Sequence, residues 1–262
     1  MFVDSHCHLD RLKLSHHDGD LNRPLEQARV AGVEAMLCVG IQLEHYEDVL
    51  RIARNNDDIY ASVGVHPSEN EGEEPSVERL VELADDPKIV AIGETGLDYY
   101  YGNDTQAQQQ SRFAAHLKAS SITKKPTIIH TRDAREDTLA IMREHADTAV
   151  GGVMHCFTET WEMAEQAMEL NFLISFSGIV TFKNAEALRE VAEKTPLENM
   201  LIETDSPYLA PVPYRGKSNE PAYVVEIAKK IAELKGVSVE TVAKVTSENF
   251  YRLFKIPKRV SN

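Results

Sequence analysis

Eight short apolar segments, nearly all followed by a stretch patterned for helix, limit the fold of this chain more than any other feature. They are Phe2–His8, Ala35–Gly40, Tyr60–Val65, Ile89–Glu94, Thr127–His130, Val150–His155, Phe172–Phe176 and Met200–Glu203. Most are continuously apolar rather than alternating, as expected of parallel strands buried on both faces. The helical stretches between them are Asn22–Ala31, Glu44–Asn55, Val77–Ala84, Thr105–Ser121, Ala134–His145, Thr160–Leu170 and Ala185–Lys194. In Thr105–Ser121, for example, Phe113, Leu117 and Ser120 or Ser121 share a stripe at helical spacing. After the last strand, Pro221–Lys235 and Val239–Phe254 predict two further helices, with Gly236 stopping the first and Ser238 with Thr241 starting the second.

Eight β-then-α units in 262 residues is the count of a (β/α)₈ TIM barrel, here with an extra C-terminal helix. An open doubly wound sheet shares the alternation. The chain has no GxGxxG after its first strand and no GxxxxGK[ST], so the common nucleotide-binding forms of that alternative lose weight. No linker, repeat or low-complexity segment divides the sequence, which predicts one domain over residues 1–262. Glu69–Ser76, acidic and containing Gly72 and Pro75, reads as a surface loop.

The polar residues fall at the ends of these strands. His6 and His8 are two apart in a strand, so they share a face while Cys7 points away toward the helices. Strand three runs into His66, strand four ends at Glu94, strand five at His130, strand six at His155, and strand eight leads to Glu203 and Asp205. In a TIM barrel these ends converge on one face, where the active site sits. Buried imidazoles and carboxylates there need partners. The ligand types suit two divalent ions: His6, His8 and Asp205 around one, His130 and His155 around the other, with Glu94 bridging. Asp205 can also accept a proton from water. Glu203 is either a partner that orients a ligand, the preferred reading, or a core carboxylate paired with Lys or Arg. His16, His17, His45, His116 and His145 lie away from the strand ends and read as solvated surface residues, and Trp161 as packing.

The net charge of −14, from 28 basic and 42 acidic residues, weighs against a broad positive surface for nucleic acid, though not against local contacts to phosphates. No apolar run is long enough to span a membrane, and no signal segment is apparent, so the expected location is the cytoplasm. Cys7, Cys38 and Cys156 are far apart and read as buried reduced thiols.

The motifs Asp4-Ser5-His6-Cys7-His8-Leu9-Asp10, Gly64-Val65-His66-Pro67, Gly93-Glu94-Thr95-Gly96-Leu97-Asp98-Tyr99-Tyr100, His130-Thr131-Arg132-Asp133-Ala134, His155-Cys156-Phe157 and Glu203-Thr204-Asp205-Ser206-Pro207-Tyr208-Leu209 occur in that order. Together they resemble the TatD family of metal-dependent deoxyribonucleases, and most closely its YcfH-like bacterial branch, which keeps the His-X-His. The resemblance implies a metallo-dependent TIM barrel of the amidohydrolase superfamily, with a binuclear site at His6, His8, Glu94, His130, His155 and Asp205. It implies phosphodiester hydrolysis on DNA, 3′–5′ exonucleolytic and in some members directed at abasic sites. DNA is then a transient substrate, and no obligate protein partner is expected. His66, Asp98 and Arg132 match positions near the metals and are expected to contact substrate, and Arg215 or Lys217, in a loop that resembles the family's basic loop, can pair with a phosphate. Glu94 stands where many amidohydrolases carry a carbamylated lysine, which favours the TatD branch. Four imidazoles favour zinc, manganese, iron or nickel, whereas the resemblance points to magnesium or manganese. The alternative function is hydrolysis of a small cyclic amide, lactone or phosphoester on the same barrel.

Overall fold

The structure, a computed structural model, describes residues 1–257; the last part of the expected domain, 258–262, lies outside the described residues. Eight strands form one all-parallel sheet in sequence order. They are β1 Phe2–Cys7, β2 Val33–Cys38, β3 Ile59–Val63, β4 Ile89–Asp98, β5 Thr127–Arg132, β6 Gly152–Met154, β7 Phe172–Phe176 and β8 Met200–Ile202. The connecting helices are α1 Asn22–Val30, α2 Tyr46–Asn55, α3 Val77–Leu83, α4 Gln106–Thr123, α5 Arg135–His145, α6 Trp161–Glu169 and α7 Glu186–Lys194, followed by α8 Val224–Lys235 and α9 Val239–Leu253. The expected (β/α)₈ barrel and extra helix are both present. Gly236 ends α8 at φ 64°, and the Ser238 hydroxyl accepts the Thr241 N–H at 3.1 Å to start α9.

Two apolar layers follow from the strand alternation. Outward residues such as Met36, Cys38, Ile59 and Ile174 pack against the helices. Inward residues such as Val3, Leu37, Val39, Ile128 and Leu201 form a separate cluster with Phe250 and Phe254 of α9 and its following turn. The extra helix therefore plugs the end of the barrel where strands begin, leaving the opposite end for polar side chains.

The barrel closes at β1 and β8 without a full ladder. Asp205 donates its N–H to His6 O at 2.9 Å, and His8 donates its N–H to Ser206 O at 2.8 Å. Thr204 adds its N–H to Asp4 Oδ1 at 2.8 Å and its hydroxyl to Asp4 Oδ2 at 2.5 Å. Burial pushes the Asp4 carboxyl up to about 8, against the pull of those two Thr204 bonds.

A candidate metal centre at the barrel mouth

A bulge in β1 puts more of that strand inside the barrel than simple alternation allows. Its register against β2 runs Val3 to Ala35 and Asp4 to Met36, then slips before Cys7 to Cys38. Val3 therefore faces the interior cluster and Cys7 faces the helices, on opposite sides despite their even spacing. His6 and His8, flanking Cys7, turn inward as expected. Cys7 is buried and donates its thiol hydrogen to Leu37 O.

Strand four does not end at Glu94, as its sequence suggests, but continues to Asp98, and β5 continues past His130 to Arg132. Gly96 pairs with His130, and Asp98 with Arg132. Glycine makes this close pairing possible: Gly96 has φ 128°, and a Cβ there would lie 2.0 Å from His130 O. Gly64 plays the same part on the other side, where a Cβ would meet the Gly93 backbone at 2.5 Å. Asp205 and Cys156, just past β8 and β6, hold left-handed backbones at φ 57° and 43°.

Glu94 is the centre of the arrangement. Its Oε2 lies 3.3 Å from His6 Nε2 and 3.9 Å from His8 Nε2. Its Oε1 lies 2.8 Å from His155 Nε2 and 3.3 Å from both His130 Nδ1 and His66 Nε2. Asp205 Oδ1 faces the first pair, 3.4 Å from His8 Nε2 and 3.7 Å from His6 Nε2. Behind them, Glu203 Oε1 accepts from His155 Nδ1 at 3.0 Å and from the Cys156 N–H at 2.7 Å, while Oε2 accepts the Ser175 hydroxyl at 2.5 Å.

The donor set fits divalent cations. Among the described residues three groups bring ligand atoms within 4.8 Å of one another: His6–His8–Asp205, His66–Glu94–His130 and His6–His155–Glu203. His155 Nε2 is inside ion-pair reach of Glu94, but the ring does not aim its N–H direction at that oxygen, so the buried nitrogen has no hydrogen-bond partner. The electrostatics agree. Burial opposes ionising Glu94, yet His155, His66 and His6 hold its carboxyl well below the usual range. Burial likewise opposes ionised Asp205, and His8, His6 and His155 outweigh it. His155 is driven well above its ordinary value, against burial, by Glu94 and Glu203. This spot favours added positive charge.

The model for TatD-related DNases matches residues 3–255 of the chain. The chain belongs to the TatD-related DNase family. It is 50% identical over 254 residues to YcfH of Escherichia coli K12, named an uncharacterized metal-dependent hydrolase, covering 97% of this chain and 96% of that protein. It is 32% identical over 251 residues to a Klebsiella pneumoniae protein named 3′-5′ ssDNA/RNA exonuclease TatD, covering 94% and 95%. The crystal structure of YjjV, a TatD homolog from E. coli K12, superposes with a TM-score of 0.90 at 29% identity, covering 98% of both chains. The chain is thus a member of a family of metal-dependent hydrolases.

In this TatD-related barrel the mouth is a cleft of about 660 Å³ lined by His8, His66, Glu94, His130, Arg132, His155 and Asp205 among others. His6 is buried behind that wall, as are Glu203 and Asp98. Asp98 accepts from His130 Nε2 at 3.1 Å and from the Tyr100 and Tyr101 amides at 3.0 Å, so it supports His130 instead of facing the cleft. Burial resists its ionisation, but His130 and the Tyr101 amide outweigh that and hold it below the usual range. Glu203 meets His155 Nδ1, the Cys156 amide and the Ser175 hydroxyl. Arg215 and Lys217 do not line the cleft. Both are exposed, and Arg215 stacks over Phe182 at 3.8 Å.

Two histidines expected on the surface are buried. His116 on α4 accepts the Val65 N–H at 3.1 Å, and its Nδ1–H bonds to Arg112 O at 2.8 Å. His17 pairs with Glu220 at 2.8 Å. Cys38 is buried as expected, but Cys156 is half-buried and lines the cleft, because it lies past the end of β6. Sequence reasoning missed Arg11, Ser68, Tyr101 and Tyr208 in the cleft wall. It also missed the buried polar row Gln109, Arg112 and His116 on α4. The helical spacing of that row was the available signal. Among the described residues no helix is long and apolar enough to cross a membrane.

Proposed function

We propose that the chain is a divalent-metal phosphodiesterase that hydrolyses DNA from strand ends, in the 3′–5′ direction. One observation carries the reading: Glu94 offers one oxygen to His6 and His8 and the other to His130 and His155. A buried carboxylate with two imidazoles at one oxygen and three, His66 included, at the other suits a group shared by two ions, whether magnesium, manganese or zinc. His6, His8 and Asp205 would hold one ion with Glu94, and His130 and His155 the other. Ions bound there supply Lewis acidity, which lowers the pKa of a water and offsets charge on attacking and leaving oxygens.

The chain's own groups do the rest. Asp205, held ionised at the cleft wall, accepts a proton from the attacking water. Glu203 and Asp98 fix the His155 and His130 rings. Arg132, stacked on Tyr100 at 3.9 Å and lining the cleft, offers a local cation to a phosphate without a broad basic surface. The DNase description of the family and the exonuclease name of the Klebsiella relative support the substrate class.

The test is Asp205→Asn, assayed on labelled single-stranded, frayed and abasic-site DNA beside a cyclic amide, a lactone and small phosphoesters. The reading expects wild type to shorten DNA from its 3′ end and the variant, with an unchanged circular dichroism spectrum, to lose that activity. Equal cutting by the variant removes the role of Asp205. Wild-type turnover only of small esters or amides replaces the DNA reading with that of a small-molecule hydrolase.

A further inference from the structure

The histidines around Glu94 do not present the same chemistry to it. A neutral imidazole has one N–H and one lone pair, and the bond made by its outer nitrogen decides which of the two faces inward. His8 Nδ1 lies 3.1 Å from Val39 O, His155 Nδ1 lies 3.0 Å from Glu203 Oε1, and His130 Nε2 lies 3.1 Å from Asp98 Oδ2. A carbonyl or an ionised carboxylate can only accept. Each of these rings therefore directs a proton outward and can turn a lone pair into the site, as a metal ligand must.

His66 is wired the other way. Its Nδ1 accepts the backbone N–H of Ser68 at 3.1 Å, with the Ser68 hydroxyl at 2.7 Å. An amide N–H can only donate, so Nδ1 carries the lone pair and the ring proton sits on Nε2. Turning the ring over would set carbon against both the amide and Glu94 and would lose both contacts. Nε2 faces Glu94 Oε1 at 3.3 Å from the cleft wall. Distance alone groups His66 with Glu94 and His130 as ligands; the Ser68 amide separates it from them.

We propose that His66 is the hydrogen-bond donor of this site, its Nε2–H directed at an oxygen of the reacting group, and is not a ligand to a divalent ion. The segment bearing it is held on two sides. His66 donates its own N–H to Ile41 O at 3.0 Å, and α4 grips the flanking backbone. Arg112 donates to His66 O at 3.0 Å and to Glu69 O at 2.8 Å, and His116 accepts from Val65. A donor fixed in this way stabilises charge that builds on a non-bridging oxygen without reorganising. That acceptor rests on the phosphodiesterase reading above, whereas the tautomer does not.

The test uses the full chain loaded with zinc. Long-range proton–nitrogen NMR, with the His66 signals assigned by their loss in His66→Gln, is expected to show an Nε2–H tautomer at His66. The His66 nitrogen shifts should stay put on zinc addition, while those of His130 and His155 move. Metal analysis should find wild-type zinc content in His66→Gln and His66→Leu and a reduced content in His130→Leu. In turnover, His66→Leu should lower kcat by about 10²-fold with KM little changed, and His66→Gln, which keeps an N–H, should recover part of that loss. An Nδ1–H tautomer, zinc-induced shifts at His66, zinc loss in His66→Gln, or full kcat in His66→Leu each overturns the proposal. If His66→Leu does not fold, the wild-type spectrum and the Gln variant decide it. If wild type turns over no phosphodiester, the functional reading fails while the tautomer and zinc content still judge His66.

Discussion

The site is assembled from two corners that are built differently. His6, His8 and Asp205 stand on the β1–β8 seam, where the strands meet through two backbone bonds and the buried Asp4–Thr204 contact. Glu94 and His130 stand on the β4–β5 pair, where the ladder slips once between Ile92 and Thr95, around Glu94, and then runs unbroken from Thr95–Ile129 to Asp98–Arg132. On the seam the residues whose backbones close the barrel are themselves proposed ligands. On β4–β5, beyond the slip, the backbone is already in place, and side chains only aim what it presents. Damage to seam support should therefore appear first as lost stability, and damage to β4–β5 support as lost activity.

The largest expected effect abolishes the distinction. Glu94→Gln removes the carboxylate both corners share and should lower hydrolysis by about 10³-fold or more, with bound divalent metal falling in elemental analysis. If one corner keeps full metal content, Glu94 is not a shared ligand.

A second effect lies outside both corners, where His116 on α4 accepts the Val65 N–H beneath the His66 segment. Burial lowers the His116 pKa to about 4 from an ordinary 6.5. The unfolded chain therefore takes up this proton first as pH falls. The stabilisation is fully present above pH 6.5 and is lost progressively down to about pH 4. Its size is about 3 kcal/mol. Urea unfolding across this range should show the slope, and His116→Gln should flatten it. An unchanged slope in the variant would assign the pH dependence elsewhere.

Smaller again, Asp4→Ala should cost about 2 kcal/mol by leaving the Thr204 N–H and hydroxyl without their acceptor. Asp4→Asn, which matches the neutral carboxyl, should cost much less. Both are read from urea midpoints. The smallest effect is that of Asp98→Asn. Its amide would confront the His130 Nε2–H with a second donor, favouring the tautomer that turns an N–H instead of a lone pair toward Glu94. A loss of activity of about tenfold is expected with little change in the urea midpoint. A stability loss as large as that of Asp4→Ala would erase the contrast between the corners.

The seam was the more legible corner. His6 and His8 at spacing two identify their face from alternation alone, and Asp205 follows a short apolar run. The β1 bulge was not legible, because an extra residue in one strand has no signature without its partner's register. The β4–β5 side was misjudged in length because Gly93-Glu94-Thr95-Gly96 has the composition of a turn. Here the glycines instead serve close approach between strands, and Leu97 and Asp98 prolong the ladder. His116 reads as a solvated surface residue, yet it is buried, as are Gln109 and Arg112 on the same helix. They satisfy loop amides and carbonyls that no local pattern reveals. Arg215 and Lys217 are exposed and do not line the cleft, and likeness to a basic loop does not say how far that loop stands from the strand ends.

The seam also dictates an order of events during synthesis. Asp4 and Thr204 are 200 residues apart, and every other strand lies between them. A chain emerging from the ribosome has His6 and His8 from the start but lacks Asp205 until the barrel is nearly complete. Glu94 and His130 are both synthesised far earlier. On the proposed ligand set, chemistry that depends on both corners would stay silent until the last strand docks.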